Sequence, residues 1–295
     1  MTAPDAIWRL GEERAVARAT KDFALADRLR DEIANAGWDV IDIGGEFEFH
    51  RRIRYLLAET DKQIKPIFDG SKIAIAMIVS GFHEDAVATV KSIRAYCDAP
   101  IVIITFDAVE LLEGVIDEAT QVIKVVVDAG WGQAANALLQ NVQSEYVVLM
   151  DPSTLFTGDA ITPVLAELGK GSYSAVGWRG GLINLEDDWR TVDDKGAGEV
   201  DVLFSYFLAL NRQAALEVGG FNARAIYYRN ADIEFSLRLR HASGHLLQMD
   251  LPLTQGRHHG YHDVDPAFRE GQSKKNYDRI LERFRGKNAI LSPRR

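Results

Sequence analysis

Apolar residues recur along this chain with two different periods, and the changes of period mark out its elements. Between Lys72 and Asp151 they form short apolar runs: Ile73–Val79 (IAIAMIV), residues 100–105 (PIVIIT), residues 121–127 (QVIKVVV, broken by Lys124) and Tyr146–Met150 (YVVLM). Each run is too short for a helix and rich in β-branched residues, which predicts strands buried on both faces of a parallel sheet. Amphipathic stretches at 84–97, 108–116 and 133–141 fall between them and predict the helices of successive βα units. Helical spacing returns at 160–168, 213–218, 233–242 and 268–285, and strand-like runs at 173–178, 200–210 and 246–253. Ahead of Lys72, residues 6–20 and 22–36 predict a helical hairpin broken at Lys21 and closed by Gly37. An extended pair follows, Trp38–Ile43 and 46–50, turned by Gly44 and Gly45, and then a helix at 48–58. The pattern as a whole predicts an α/β protein. Its parts are a small N-terminal module over 1–50, a connection over 51–71, a main domain over 72–265 and a terminal helix and tail over 266–295.

The fourth strand ends abruptly on Asp151, with Pro152 behind it to stop the ladder. A carboxylate at the carboxyl end of a buried strand in an open α/β sheet faces the crevice where such sheets bind ligands. The other reading is a turn that caps the next segment. The acidic stretch 186–199, with Asp187, Asp188, Asp193 and Asp194 and few apolar residues, reads as a mobile flap.

Composition narrows the function classes. At 295 residues, 47% hydrophobic and 26% charged, the chain is long enough and apolar enough for a large globular core. No apolar run approaches the roughly 18 residues of a membrane span, and the first residues lack the apolar centre of a signal peptide, so the expected location is the cytoplasm. Cys97 is the sole cysteine, which excludes an intramolecular disulfide and a cysteine-rich zinc site. A net charge of −9 argues against broad electrostatic binding of nucleic acid. Residues 268–295 reverse the sign, with nine Lys/Arg against three Asp/Glu.

The stretch ATKDFALADRLRDEIANAGWDVID resembles the small C-terminal helical module of cysteinyl-tRNA synthetases through Lys21, Asp22, Phe23, Ala26, Asp27, Arg30 and Asp31. The resemblance implies RNA contact, yet residues 1–50 hold six Lys/Arg and eleven Asp/Glu, and phosphate binding needs the opposite sign. A plain structural account is a stripe of Phe23, Ala26, Leu29 and Ile33 that holds the hairpin together. Docking onto a protein partner or onto the main domain is the next possibility.

From Lys72 to about residue 262 the succession of elements resembles the family 2 glycosyltransferases. It runs from a strand with a small-residue loop at Ser80 to a strand ending at Asp107, a Gly130-Trp131-Gly132 loop, a helix holding Asn136 and the strand ending at Asp151. The stretch LNRQAALEVGGFN, which ends in Gly219-Gly220-Phe221-Asn222, is its most specific piece. The resemblance implies the GT-A fold, a Rossmann-like mixed sheet flanked by helices, and a nucleotide-diphosphate sugar as donor with an acceptor the sequence does not name. It implies further that Asp107 reads the nucleoside and that Ser80, Gly130 and Asn136 lie along the donor. The family's D-x-D, which holds a divalent ion such as Mg²⁺ or Mn²⁺ against the diphosphate, reads here Asp151-Pro152-Ser153, and a hydroxyl is a far weaker ligand than a carboxylate. In the family's E-D-x-D-L-x-x-R stretch, Asp232 takes the position of the general base, Ala231 replaces the preceding Glu and Glu234 takes the later Asp. Asp232 also reads as a helix cap and Glu234 as a first-turn charge. In the loop GRHHGYHD, His259 is the expected additional metal ligand, over His258 and His262, and Lys274 or Lys275 is expected to close over the diphosphate. The lost carboxylate and Ala231 leave a second expectation, a non-catalytic protein that binds a nucleotide sugar, a carbohydrate or a protein.

Overall fold

A computed structural model describes residues 3–68, 70–256 and 264–294. The chain divides into two compact units, Met1–Arg54 and Tyr55–Arg295. The small unit is made of helices α1 (Asp5–Ala19) and α2 (Phe23–Asn35) and an antiparallel hairpin of β1 (Trp38–Ile43) and β2 (Glu46–Arg51). Ile43 pairs with Glu46, which leaves a two-residue turn at Gly44 and Gly45 with φ of +58° and +101°, the left-handed region that glycine enters without a Cβ penalty. The period-2 alternation of Glu46–Arg51 (EFEFHR) therefore continues the hairpin, and the helix expected over 48–58 does not form. Ile7, Ile33, Trp38 and Val40 are buried together as the core of this unit. Ala26 and Leu29 are buried as the helical stripe predicts, but Phe23, at the first turn of α2, is 61% exposed and stands outside that core.

Arg14 is buried in this unit and its guanidinium grips Asp42 through two bonds of 2.9 and 3.0 Å. The Arg14 hydrogen bond holds the Asp42 carboxyl below its ordinary value of 3.8. Its contribution to stability is complete above that ordinary value and is lost as the pH falls through the depressed one. Asp42→Asn strands a buried guanidinium without its charge partner, so hydrogen exchange across α1 and β1 at neutral pH should quicken. Unchanged protection in the variant would show that the pair carries none of the unit's stability.

The large unit follows in chain order. It comprises β3 (Leu56–Ala58), β4 (Ile73–Val79), α3 (His83–Arg94), β5 (Ile101–Thr105), β6 (Thr120–Val125), α4 (Trp131–Asn141), β7 (Tyr146–Met150), β8 (Thr154–Phe156), α5 (Ile161–Leu168) and β9 (Ala175–Gly177). Next come β10 (Gly180–Ile183), β11 (Val192–Asp193), β12 (Gly198–Val200), β13 (Val202–Leu203), β14 (Phe207–Asn211), α6 (Arg212–Glu217), α7 (Ala231–His241), β15 (Leu246–Gln248), β16 (Leu253–Gln255) and α8 (Pro266–Phe284). Nine strands form one mixed sheet in the order β12-β15-β9-β14-β7-β4-β5-β6-β3. β3, β6, β5, β4 and β7 run parallel, and β14 enters antiparallel between β7 and β9. The stretch 108–116 forms a 3-10 helix, Val109–Val115, in place of the α-helix its spacing predicts.

Alternate residues of the central strands face different cores, which is why their sequences read as unbroken apolar runs. Ala74, Ala76 and Ile78 of β4 join Val147 and Leu149 of β7 under α4 and α7, while Ile75, Met77, Val148 and Met150 face α3 and α5. A third cluster of Ile183, Trp189, Val202, Leu237, Ile280 and Phe284 seats α8 beside α7. Trp189 draws the acidic stretch into that cluster, and the Tyr277 hydroxyl donates to its carbonyl at 3.0 Å. Asp187 accepts the backbone N–H of Arg190, and Arg285 pairs with Asp188. Residues 186–199 are therefore tied to the domain by their own carboxylates and one buried indole, where composition alone predicts a mobile flap. Among the described residues no helix is long and apolar enough to cross a membrane.

Candidate functional site

The parallel strands end on one edge, and that edge gathers the chemistry. Ser80 follows β4, Asp107 lies two residues past β5 and Asp151 is the residue after β7. β14 runs the other way and pairs its first residue, Phe207, with Met150, so Ser205 and Tyr206 arrive beside Asp151 at the same edge. The Asp151 N–H donates to the Tyr206 carbonyl at 3.2 Å. One Asp151 carboxylate oxygen accepts both the N–H and the hydroxyl of Ser153, at 2.8 and 2.7 Å.

Asp232 stands in the first turn of α7 and is 7% exposed. One of its oxygens accepts from the Ser205 N–H at 2.9 Å and the Ser205 hydroxyl at 3.2 Å, and the other accepts from the Ile233 N–H. Burial pushes this carboxyl above the ordinary carboxylate value, against the Ser205 bonds that favour the charged form. A base whose pKa is raised toward the working pH is better matched to proton transfer than an ordinary aspartate. Burial also raises the Tyr206 hydroxyl, helped by the charges of Asp232 and Asp151, while Arg179 and Arg229 pull it down. The residue pair Ser205-Tyr206 thus ties the backbone of Asp151 to the carboxylate of Asp232, 81 positions apart in sequence.

Asp151 and Asp232 line one cavity of about 330 Å³, together with Ser205, Tyr206, Tyr228, Arg190 and Arg229. Tyr228 also lines a second cavity of about 200 Å³, whose walls include Phe82, Phe106, Trp131 and Phe268, with Ser80 and Asp128 as polar groups. A small cleft lined by Trp131, Asp151 and Tyr228 shares wall residues with both. The arrangement is a groove with an aromatic end and a charged end, which suits a ligand carrying a planar ring at one side and polar groups at the other. Asp107 sits near the aromatic end, and both its oxygens are engaged: one accepts from the Gly81 N–H at 3.1 Å and the other lies 2.9 Å from His83 Nε2. His83 is buried and fixes this carboxylate from behind.

Two other predicted residues face inward. Asn136 clamps the backbone of Phe221, accepting from its N–H at 2.7 Å and donating to its carbonyl at 2.9 Å. Glu234 is 2% exposed and accepts from Asn222 at 2.9 and 3.0 Å. Gly132 lies so close to the next loop that a Cβ there would meet the Asn222 carbonyl at 2.2 Å. The N–H groups of Trp131 and Gly132 donate to Ile226 and Ala225. The Gly-rich loop, in which Gly130 holds φ of +94°, and the GGFN stretch are therefore one structural unit that sets Trp131 in the aromatic wall.

Lys274 and Lys275 are exposed on α8, Lys274 is paired with Asp278, and neither is among the residues lining the cavity. His259 lies outside the described residues. Among the described residues no group of three His, Cys, Asp or Glu is placed to hold a metal ion. Sequence reasoning passed over His83, Ser205, Tyr206, Tyr228, Arg190 and Arg229. Two signals were available: the polar Ser205-Tyr206 inside an otherwise apolar run, and the Tyr227-Tyr228-Arg229-Asn230 cluster just before α7.

No protein-family model and no curated protein matches the chain. Solved structures do. The structure of GalNAc-T7 with UDP, GalNAc and Mn²⁺ superposes with a TM-score of 0.57 at 15% identity, over 72% of this chain and 48% of that one, so this chain spans about half its length. Mannosyltransferase PcManGT from Pyrobaculum calidifontis, in complex with GDP-Man and Mn²⁺, gives 0.55 at 13% identity, over 77% and 67%. S. aureus TarS gives 0.50 at 10% identity, over 74% of each chain. At these identities the likeness is one of fold, and the fold of this chain is that of the GT-A glycosyltransferases.

Proposed function

We propose that this protein transfers a sugar from a nucleotide-diphosphate sugar to an acceptor hydroxyl. The observation that carries the reading is the one cavity that Asp151 and the buried Asp232 both line, sharing its Tyr228 wall with an aromatic pocket at the ends of β4 and β5. In this reading the nucleoside lies in the aromatic pocket beside Trp131 and Ser80, oriented by Asp107 in its His83 support. The diphosphate crosses at Tyr228 and Asp151. The sugar and the acceptor meet beside Asp232. As the acceptor oxygen bonds to the anomeric carbon, its proton passes to the Asp232 carboxylate. The bond from the anomeric carbon to the diphosphate oxygen breaks, and its electron pair leaves on the nucleoside diphosphate. Attack opposite the leaving group inverts the anomeric centre.

The GT-A neighbours bound to UDP or GDP-Man also contain Mn²⁺. Here the described residues of the cavity bring two carboxylates, Asp151 and Asp232. Ser153 is 2% exposed and its hydroxyl donates to the Asp151 carboxylate. A divalent ion that takes one or two protein carboxylates and completes its shell with water and the donor's phosphates would be held at Asp151, and no step above runs through a metal.

The test is a thermal-shift series with UDP, GDP, CDP and dTDP, each with and without Mn²⁺, followed by release of nucleoside diphosphate from the matching sugar donor. Ligand at about 100 times its dissociation constant stabilises the fold by roughly 2.7 kcal/mol. For a unit of this size that corresponds to a rise of roughly 5–10 °C. Binding without turnover would favour a non-catalytic sugar-nucleotide protein, the reading that Ser153 and Ala231 support. No shift with any of the four would sink both.

A further inference from the structure

Two carboxylates in one cavity repel an anionic diphosphate, so the site needs positive charge close by. The groups that line the cavity with Asp151 and Asp232 include Arg190 and Arg229. They come from different segments, yet neighbouring residues of α8 anchor both. Asn276, 2% exposed, donates to the carbonyls of Tyr227 and Arg229 at 2.9 and 2.8 Å. Tyr277 donates to the carbonyl of Trp189, the residue before Arg190, and the Arg190 N–H is held by Asp187. A third guanidinium, Arg179, is stacked 4.3 Å over Trp178, and with Arg229 its charge reaches Tyr206 at the cavity wall. The basic terminal helix thus places two arginines by its Asn276 and Tyr277, while its own Lys274 and Lys275 stay outside.

We propose that Arg190 and Arg229 bind the two phosphates of the donor between them and supply positive charge there whether or not a metal ion joins Asp151. This rests on the glycosyltransferase reading for the identity of the ligand as a nucleoside diphosphate. Guanidinium suits the role because its planar fork of donors matches phosphate oxygens and remains charged at any working pH.

The experiment is titration calorimetry of the full chain with inorganic pyrophosphate, UDP and GDP, first in EDTA and then in Mn²⁺. It is run on the wild type and on Arg190→Ala, Arg229→Ala and the two lysine replacements. The expected result is diphosphate binding in EDTA, weakened about tenfold or more by each alanine and partly regained by each lysine. Both arginines are exposed, so the unliganded variants should melt with the wild type. Binding that appears only with Mn²⁺ and ignores the arginine changes overturns the assignment and leaves the donor reading standing. Pyrophosphate that binds through the arginines while neither nucleotide binds more tightly upholds the assignment and removes the donor reading. Failure of all three ligands under both conditions removes both.

Discussion

Asp232→Asn should leave nucleotide binding within a factor of about three and lower the rate of sugar transfer by about 10²–10⁴. The substitution keeps the shape of the side chain and an oxygen for the Ser205 N–H, so the tie between Ser205 and α7 survives, while the group that accepts the acceptor's proton is gone. The measurement is kcat for transfer alongside the dissociation constant of the nucleoside diphosphate. The pH profile adds an independent readout. Asp232 acts as a base only when ionised, and its burial raises the pKa, so transfer should rise through a midpoint above the ordinary carboxylate value of 3.8. The folded state then holds the proton more tightly than the unfolded chain, and stability falls as pH rises between the two values. Asparagine removes that cost, so the variant should melt no lower than the wild type at neutral pH. Full transfer by Asp232→Asn would reduce this carboxylate to a helix-capping residue.

Phe221→Ala should cost about 3–5 kcal/mol, a large share of the roughly 5–15 kcal/mol that holds a domain together. Phe221 is 1% exposed, with its ring stacked 4.1 Å from that of Phe235 and met edge-on by Trp131 at 5.1 Å. Its backbone is the one that Asn136 clamps on both sides. Removing the ring opens a cavity between α4 and α7 and takes away the support of Trp131, which forms a wall of the aromatic pocket. The melting temperature should fall by roughly 6–20 °C, and nucleotide affinity should fall with it at temperatures where the variant is still folded. A change under about 2 °C would mean that the aromatic stack contributes little.

The structure also relocates the part played by the basic C-terminal helix. Its charge pattern reads as cations over a ligand, while Asn276 and Tyr277 bond to the backbone carbonyls of Tyr227, Arg229 and Trp189 beside the cavity. The acidic stretch 186–199 illustrates the same limit, since one buried indole outweighs a polar composition once a groove exists to take it.

What the sequence determined by itself is the set of features that depend on short-range pattern. The buried parallel strands at 73–79, 101–105 and 146–150 followed from nearly unbroken apolar runs, because two-sided burial leaves little room for polar alternation, and that at 120–125 from a run broken by Lys124. Asp107 and Asp151 were legible as strand-end carboxylates for the same reason, and Asp232 through its place at the start of a helix. The hairpin turn at Gly44 and Gly45 was legible too, though the strand after it was read too short and the next segment was mistaken for helix. Only the tertiary structure decided which of these groups meet. The antiparallel insertion of β14 brings Ser205-Tyr206 between Asp151 and Asp232, and no local period encodes the pairing of strands that lie some 60 residues apart. It also decided that Asn136 and Glu234 spend their polar atoms on the chain itself, and that Arg190 and Arg229 rather than Lys274 and Lys275 line the cavity. The direction of a side chain is set by the packing around it, and that packing exists only once distant segments have come together.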